Sequence, residues 1–251
     1  MIDGGIVVQQ IRRSFAIAKK DLRIYYSKGP VVIFGILMPL FLLLAFSIGR
    51  DMSIESLMPA MLGMTVFFTA SAVSPVIAPW ETQARTLERL ASCPVAVWQI
   101  LLGDALASFI FGVAISVVPI VVGLCAGVSI VQPLILTLGI VLAAFCFSAL
   151  ALIFSFPATS SPATIMMLSS LVKFPLVFIS GIFVPLSDLP LWARSISFVS
   201  PLTYFTDLAR HSLHGSGYLS FGADLVVLFG FSAVFMLLAV KLHERTMPRR
   251  I

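Results

Sequence analysis

The chain has 251 residues, of which 59% are hydrophobic and only 11% charged, with a net charge of +5 and a mean hydropathy of +1.08. A water-soluble core of this length needs far less apolar surface. The composition therefore excludes a soluble domain and predicts an all-α protein that crosses the membrane several times.

Residues 1–28 are polar and basic, without the short apolar core and small-residue cleavage site of a signal peptide. Val8, Ile11, Phe15, Ala18, Leu22 and Tyr25 recur at spacings of three and four with basic residues mostly between them. This pattern predicts an amphipathic helix at the inner membrane interface or against a partner protein.

Charge-free runs then place the spans, since about 20 residues are needed to cross roughly 30 Å of hydrocarbon. The first lies at about 29–49, between Lys28 and Arg50, and the second at about 56–80, between Glu55 and Glu81. No charged residue occurs from Ala105 to Val172, and polar or proline-containing breaks at 127–133 and 155–162 divide that stretch. Spans are expected at about 100–126, 132–156 and 162–184, and a sixth at about 222–240. Domain 29–241 thus holds six spans, followed by a basic tail, 242–251.

The loop at 81–99 reads as an amphipathic helix. Glu81 and Arg85 are four apart, Glu88 and Arg89 continue the charged surface, Leu87 and Leu90 supply apolar contacts, and Pro94 ends the helix. Such a helix suits docking on a soluble protein, or lying among lipid headgroups.

The fifth span leads into Pro185, Pro190, Trp192, Pro201, Tyr204, Asp207 and Arg210, spread among enough apolar residues to remain at the membrane. Three prolines break any single helix here. Segment 185–221 is expected to be short, broken helices dipping into the outer face, which requires shielding by neighbouring protein. Asp207, His211 and His214 share a helical spacing, but an amphipathic surface explains them and no metal site is expected. Cys93, Cys125 and Cys146 suggest neither a disulfide framework nor a metal site.

Basic residues set the orientation. Arg12, Arg13, Lys19, Lys20, Arg23, Lys28, Arg85, Arg89, Lys241, Arg245, Arg249 and Arg250 all fall on one side, against Arg50, Arg194 and Arg210 on the other. Both termini are expected in the cytoplasm of a plasma-membrane protein. The positive charge then reflects topology and lipid contact, with no nucleic acid as partner.

Two stretches carry a family resemblance. Glu81, Thr86, Leu87, Glu88, Arg89, Leu90, Pro94 and Gly103 resemble the first cytoplasmic loop of ABC-2 type exporter permeases. Pro175, Ser180, Gly181, Pro185, Leu189, Pro190, Trp192, Pro201, Leu202, Tyr204, Asp207 and Arg210 resemble their fifth span and outer re-entrant hairpin. Arg85 stands where such loops often have glycine, Asp104 where a basic residue is common, and Lys173 interrupts a span that is usually uncharged there.

The resemblance implies two permease copies over two ATP-binding subunits, each gripping a coupling loop. No G-x-x-x-x-G-K-[ST] phosphate loop occurs in this chain, so ATP and magnesium would belong to the partner ATPase, with no cofactor or catalytic residue here. The resemblance further implies that Glu81, Arg85, Leu87, Glu88, Arg89 and Leu90 meet the ATPase. Pro185 to Arg210 would form an outer gate, and the path would run between the first, second and fifth spans. Phe34, Phe41, Phe67, Phe68, Phe174 and Phe178 are candidate linings for a drug, lipid-like or glycan molecule. Lys173 points either to a polar path favouring anionic substrates or to a subunit contact with its ammonium snorkelling to the interface. An ion-coupled secondary transporter or channel is the alternative; it would need several paired intramembrane charges, and only Lys173 lies deep.

Overall fold

The computed structural model describes residues 4–26, 37, 41 and 54–247. The expected first span, with Phe34, lies outside the described residues apart from positions 37 and 41. Among the described residues all regular structure is helical.

Helix α1 (Gly4–Ile24) is followed by α2 (Ile54–Ala70), α3 (Ser74–Gln83), the short α4 (Thr86–Ala91) and α5 (Val97–Cys125). Then come α6 (Pro133–Phe154), α7 (Pro162–Ile179), a 3-10 turn at Leu186–Asp188, α8 (Leu191–Ser197), α9 (Pro201–His214) and α10 (Phe221–Thr246). Among the described residues, five stretches are long and apolar enough to cross a membrane: Ile54–Gln83 (α2 with α3), α5, α6, α7 and α10.

Local chemistry sets the boundaries. Pro133, Pro162 and Pro201 sit in the first turns of α6, α7 and α9, where a missing N–H costs nothing. The Ser161 and Ser220 hydroxyls accept the Thr164 and Ala223 amides and so cap α7 and α10. Gly215 closes α9 at φ 74°, returning its amide to the His211 carbonyl.

Helix α6 is the centre of the bundle, packed by α2, α5, α9 and α10. Its Phe147 meets Phe67 of α2 at 5.0 Å and Phe205 of α9 at 6.2 Å between ring centroids, both edge-on. Close approach is arranged by small residues. A Cβ on Gly103 of α5 would lie 2.7 Å from the Ile17 Cβ of α1, and one on Gly112 would lie 2.7 Å from the Ala70 Cβ of α2.

Three expectations are corrected. The second span is not one helix but two, interrupted at residues 71–73. Pro75 removes the amide that would bond the Ser71 carbonyl and crowds that carbonyl with its ring. The loop helix is also shorter than expected, because Glu81 belongs to the last turn of α3 and only residues 86–91 form α4. Finally, the apolar stripe of α1 is only in part its packed face: Ala18 and Tyr25 are buried with Leu22 packed against them, but the face extends to residues outside the stripe. Ile11 and Phe15 are exposed, while Ser14, Ile17, Ala18, Asp21 and Tyr25 are buried. The tight seam at Gly103 selects the side of α1 that fits closely, polar residues included.

Candidate docking and translocation sites

At one end of the bundle, α1, α4 and the start of α5 meet. Lys20 of α1 donates to Glu81 at the end of α3 and lies 3.0 Å from Asp21. Asp104 of α5 sits against Asp21, an approach that two carboxyl groups tolerate with a proton between them. Burial pushes the Asp21 carboxyl above its ordinary value of 3.8, against the pull of Lys20. Burial also opposes the charge on Lys20, but Asp21 and Glu81 outweigh it and hold its pKa above the ordinary 10.5.

This cluster changes the expected docking set. Glu81, 2% exposed, is held by Lys20 and is not paired along the helix with Arg85; Leu87, also 2% exposed, packs against Ile17, Ile100 and Met247. Arg85, Glu88 and Arg89 are exposed, and Leu90 is half-buried. Arg85 adopts φ 53°, ψ 28°, the left-handed region in which a side chain is disfavoured and glycine is not. The Arg13 guanidinium donates to the Pro94 carbonyl, tying the far side of the loop to α1.

In the middle of the bundle, the ammonium of Lys173 donates to the Ser71 carbonyl at 2.5 Å. This is the carbonyl that Pro75 leaves without its helical amide, and it lies at the negative end of α2. Lys173, 7% exposed, therefore caps the break in the second span and does not snorkel to an interface. Ser71 and Ser169, which complete this region, were missed by sequence reasoning; the Ser71–Pro75 spacing was the signal available for the first.

The aromatic candidates separate by environment. Phe67 is wholly enclosed and Phe68 nearly so, whereas Phe174 is partly buried, and Phe41 and Phe178 are exposed at 60% and 55%. Phe67 packs the protomer's core and offers no face to a molecule passing outside it.

At the opposite end, α8 and α9 fold back over the bundle. Asp207 accepts the Tyr218 amide at 2.9 Å and the Leu219 amide at 2.7 Å. Arg210 donates to the Gly181 carbonyl at 2.7 Å, and Arg194 donates to those of Leu186, Ser187 and Leu189 while lying 4.9 Å from the Tyr218 ring centroid. Tyr204 bonds the Phe198 carbonyl, Pro201 is buried in the first turn of α9, and Pro185 and Trp192 are exposed. Asp207 and Arg210 also border a cavity of about 350 Å³ with Ser187, Ser216 and Tyr218. Asp207 thus serves the backbone, which the spacing with His211 and His214 had not revealed.

The bundle thus has a candidate span broken before Pro75, a short charged helix at one end and a tied pair of short helices at the other. Residues 11–214 match the ABC-2 type transporter family. The chain belongs to this family. It is a membrane component of an ABC transporter.

Three ABC-2 relatives are similar to it. The daunorubicin resistance ABC transporter permease protein DrrB1 of Streptomyces coeruleorubidus is 33% identical over 86 residues, 34% of this chain and 30% of the relative. The probable multidrug ABC transporter permease YbhR of Escherichia coli is 22% identical over 159 residues, 61% of this chain and 42% of the relative. Nodulation protein J of Rhizobium meliloti is 28% identical over 191 residues, 73% of this chain and 71% of the relative. The chain therefore spans under half the length of the first two relatives and about two thirds of the third.

Proposed function

We propose that this chain is the permease of an ATP-driven exporter, acting as a homodimer over two separate ATP-binding subunits that carry ATP and magnesium. The observation that carries this reading is the α4 corner. It presents Arg85, Glu88 and Arg89 outward, while Leu87 packs it on Ile17 of α1 and Ile100 of α5, and the Lys20–Glu81 pair ties the end of α3 to α1. A charged helix so fastened would pass motor movement to the membrane rather than absorb it. Closure of the motors would draw the two α4 corners together and tilt the second and third spans.

Six spans in the plasma membrane with cytoplasmic termini complete the arrangement. Glu55, at the start of α2, lies 3.8 Å from His214 of the hairpin end, whereas α1 packs at the other end beside Gln99. The path would run along α2, α3 and α7 at the dimer face, with Lys173, Phe174 and Phe178 among its linings and α8 and α9 as the outer gate. The daunorubicin-resistance and multidrug relatives support a drug among the expected drug, lipid-like and glycan substrates.

The reading is tested by reversing charges at Glu88 and Arg89 and measuring assembly with an ATPase and its turnover. Loss of both would support it, and unchanged assembly and turnover would refute the docking role.

A further inference from the structure

The break in the second span faces the middle of α7 across a small cleft whose polar lining is Lys173 with the hydroxyls of Ser169 and Ser170. Lys173 spends one N–H on the Ser71 carbonyl, and among the described residues no carboxylate lies against it. Ser169, one turn earlier on α7, is 3% exposed, and its hydroxyl has no hydrogen-bond partner. Pro75, in the first turn of α3, lines the cleft with Phe68, Ala72, Ser169, Lys173 and Phe174. A buried ammonium without a counter-charge is costly in a membrane. A buried ammonium and an unpartnered hydroxyl at one small space form a cradle with a missing acceptor.

We propose that this cleft binds the anionic group, a carboxylate or phosphate, of an amphiphile. If the permease reading holds, that amphiphile is the transported molecule, and this part of the proposal rests on that reading. The cavity of about 20 Å³ admits one water-sized group, so a single anionic oxygen enters. Phe174 adjoins Met167 and Phe178 on the α7 surface, both exposed, so an apolar tail attached to that oxygen lies along this face. The headgroup phosphate of a membrane lipid offers the same chemistry.

The test uses the purified full chain in phosphatidylcholine nanodiscs and radiolabelled dodecyl phosphate as probe. Saturable binding is expected, displaced by laurate and not by dodecyltrimethylammonium. Lys173→Met should weaken binding about tenfold or more and Ser169→Ala about threefold, while Lys173→Arg retains it. Phosphatidylglycerol in the nanodisc separates the sources. Competition that depends on Lys173 assigns the site to lipid phosphate, its absence assigns it to a free amphiphile, and both outcomes sustain an anion site.

Wild-type affinity in a folded Lys173→Met chain, or equal displacement by the ammonium amphiphile, would overturn the proposal. Should Lys173→Met fail to fold, Ser169→Ala leaves the Lys173–Ser71 bond in place and decides the matter by itself, with unchanged affinity counting against the site. No ATP-binding subunit is present in the assay, so failure of the motor reading leaves its result intact.

Discussion

Lys20 of α1 and Glu81 at the end of α3, 61 residues apart in sequence, meet at one end of the bundle. Their ion pair sets the position of α4, which begins five residues after Glu81. Lys20→Met would leave two buried carboxylates without their cation. Allowing for the one-third exposure of Lys20, the expected loss is about 2 kcal/mol, read as a lower thermal midpoint in detergent.

The same cluster gives the chain a pH dependence. A carboxyl whose pKa is raised on folding contributes stability that is whole below its unfolded value, here 3.8, and is lost as pH rises through the folded value. Lys20, raised above 10.5, contributes throughout the neutral range and loses its contribution only in strong alkali. The thermal midpoint of the wild type should therefore fall as pH rises above 3.8 more than that of Asp21→Asn. Equal slopes for the two proteins would remove Asp21 as the source.

Arg85 holds a left-handed turn at the entry to α4. Arg85→Gly should raise stability by about 1 kcal/mol, and Arg85→Val should lower it by at least as much. Differential scanning fluorimetry of the two variants decides this. A destabilised glycine variant would mean that the arginine side chain contributes more than its backbone costs.

Much of the scaffold was legible in the sequence, because a charge-free run of sufficient length can do little except span a membrane. The prolines at 185, 190 and 201 likewise announced the broken hairpin. The buried charges were not legible. Glu81 and Arg85 have the spacing of a helical pair, yet Arg85 leaves the helix and Glu81 turns to a lysine in a distant segment. Part of the packed face of α1, Ala18 and Tyr25, followed the hydrophobic periodicity, but Ser14, Ile17 and Asp21 did not, because a close seam at Gly103 draws them in. The Lys173–Ser71 contact joins residues 102 apart, and no local pattern encodes it.

The seam itself is open to test. Gly103→Val would force a side chain into Ile17 and the Ser14 carbonyl, lifting α1 from α5 at a cost of about 1–3 kcal/mol. Faster hydrogen exchange along residues 14–26 should accompany the loss. Gly222→Val meets open space, and exchange in that segment should stay unchanged.

Asp207 satisfies two amides that would otherwise be stranded at the hairpin. Asp207→Ala should cost about 2–4 kcal/mol and expose the Tyr218 and Leu219 amides to exchange. Persistent protection at both amides would show that the 215–220 segment is held by other contacts.

The most direct measurement is to purify the chain gently from its native membranes into lipid nanodiscs, identify what accompanies it, and assay ATP hydrolysis with and without charge reversal at Glu88 and Arg89. The account predicts a stoichiometric ATP-binding subunit whose association and turnover are lost on reversal. A clean permease with no ATPase, or an ATPase indifferent to both charges, would contradict it and favour an ion-coupled transporter.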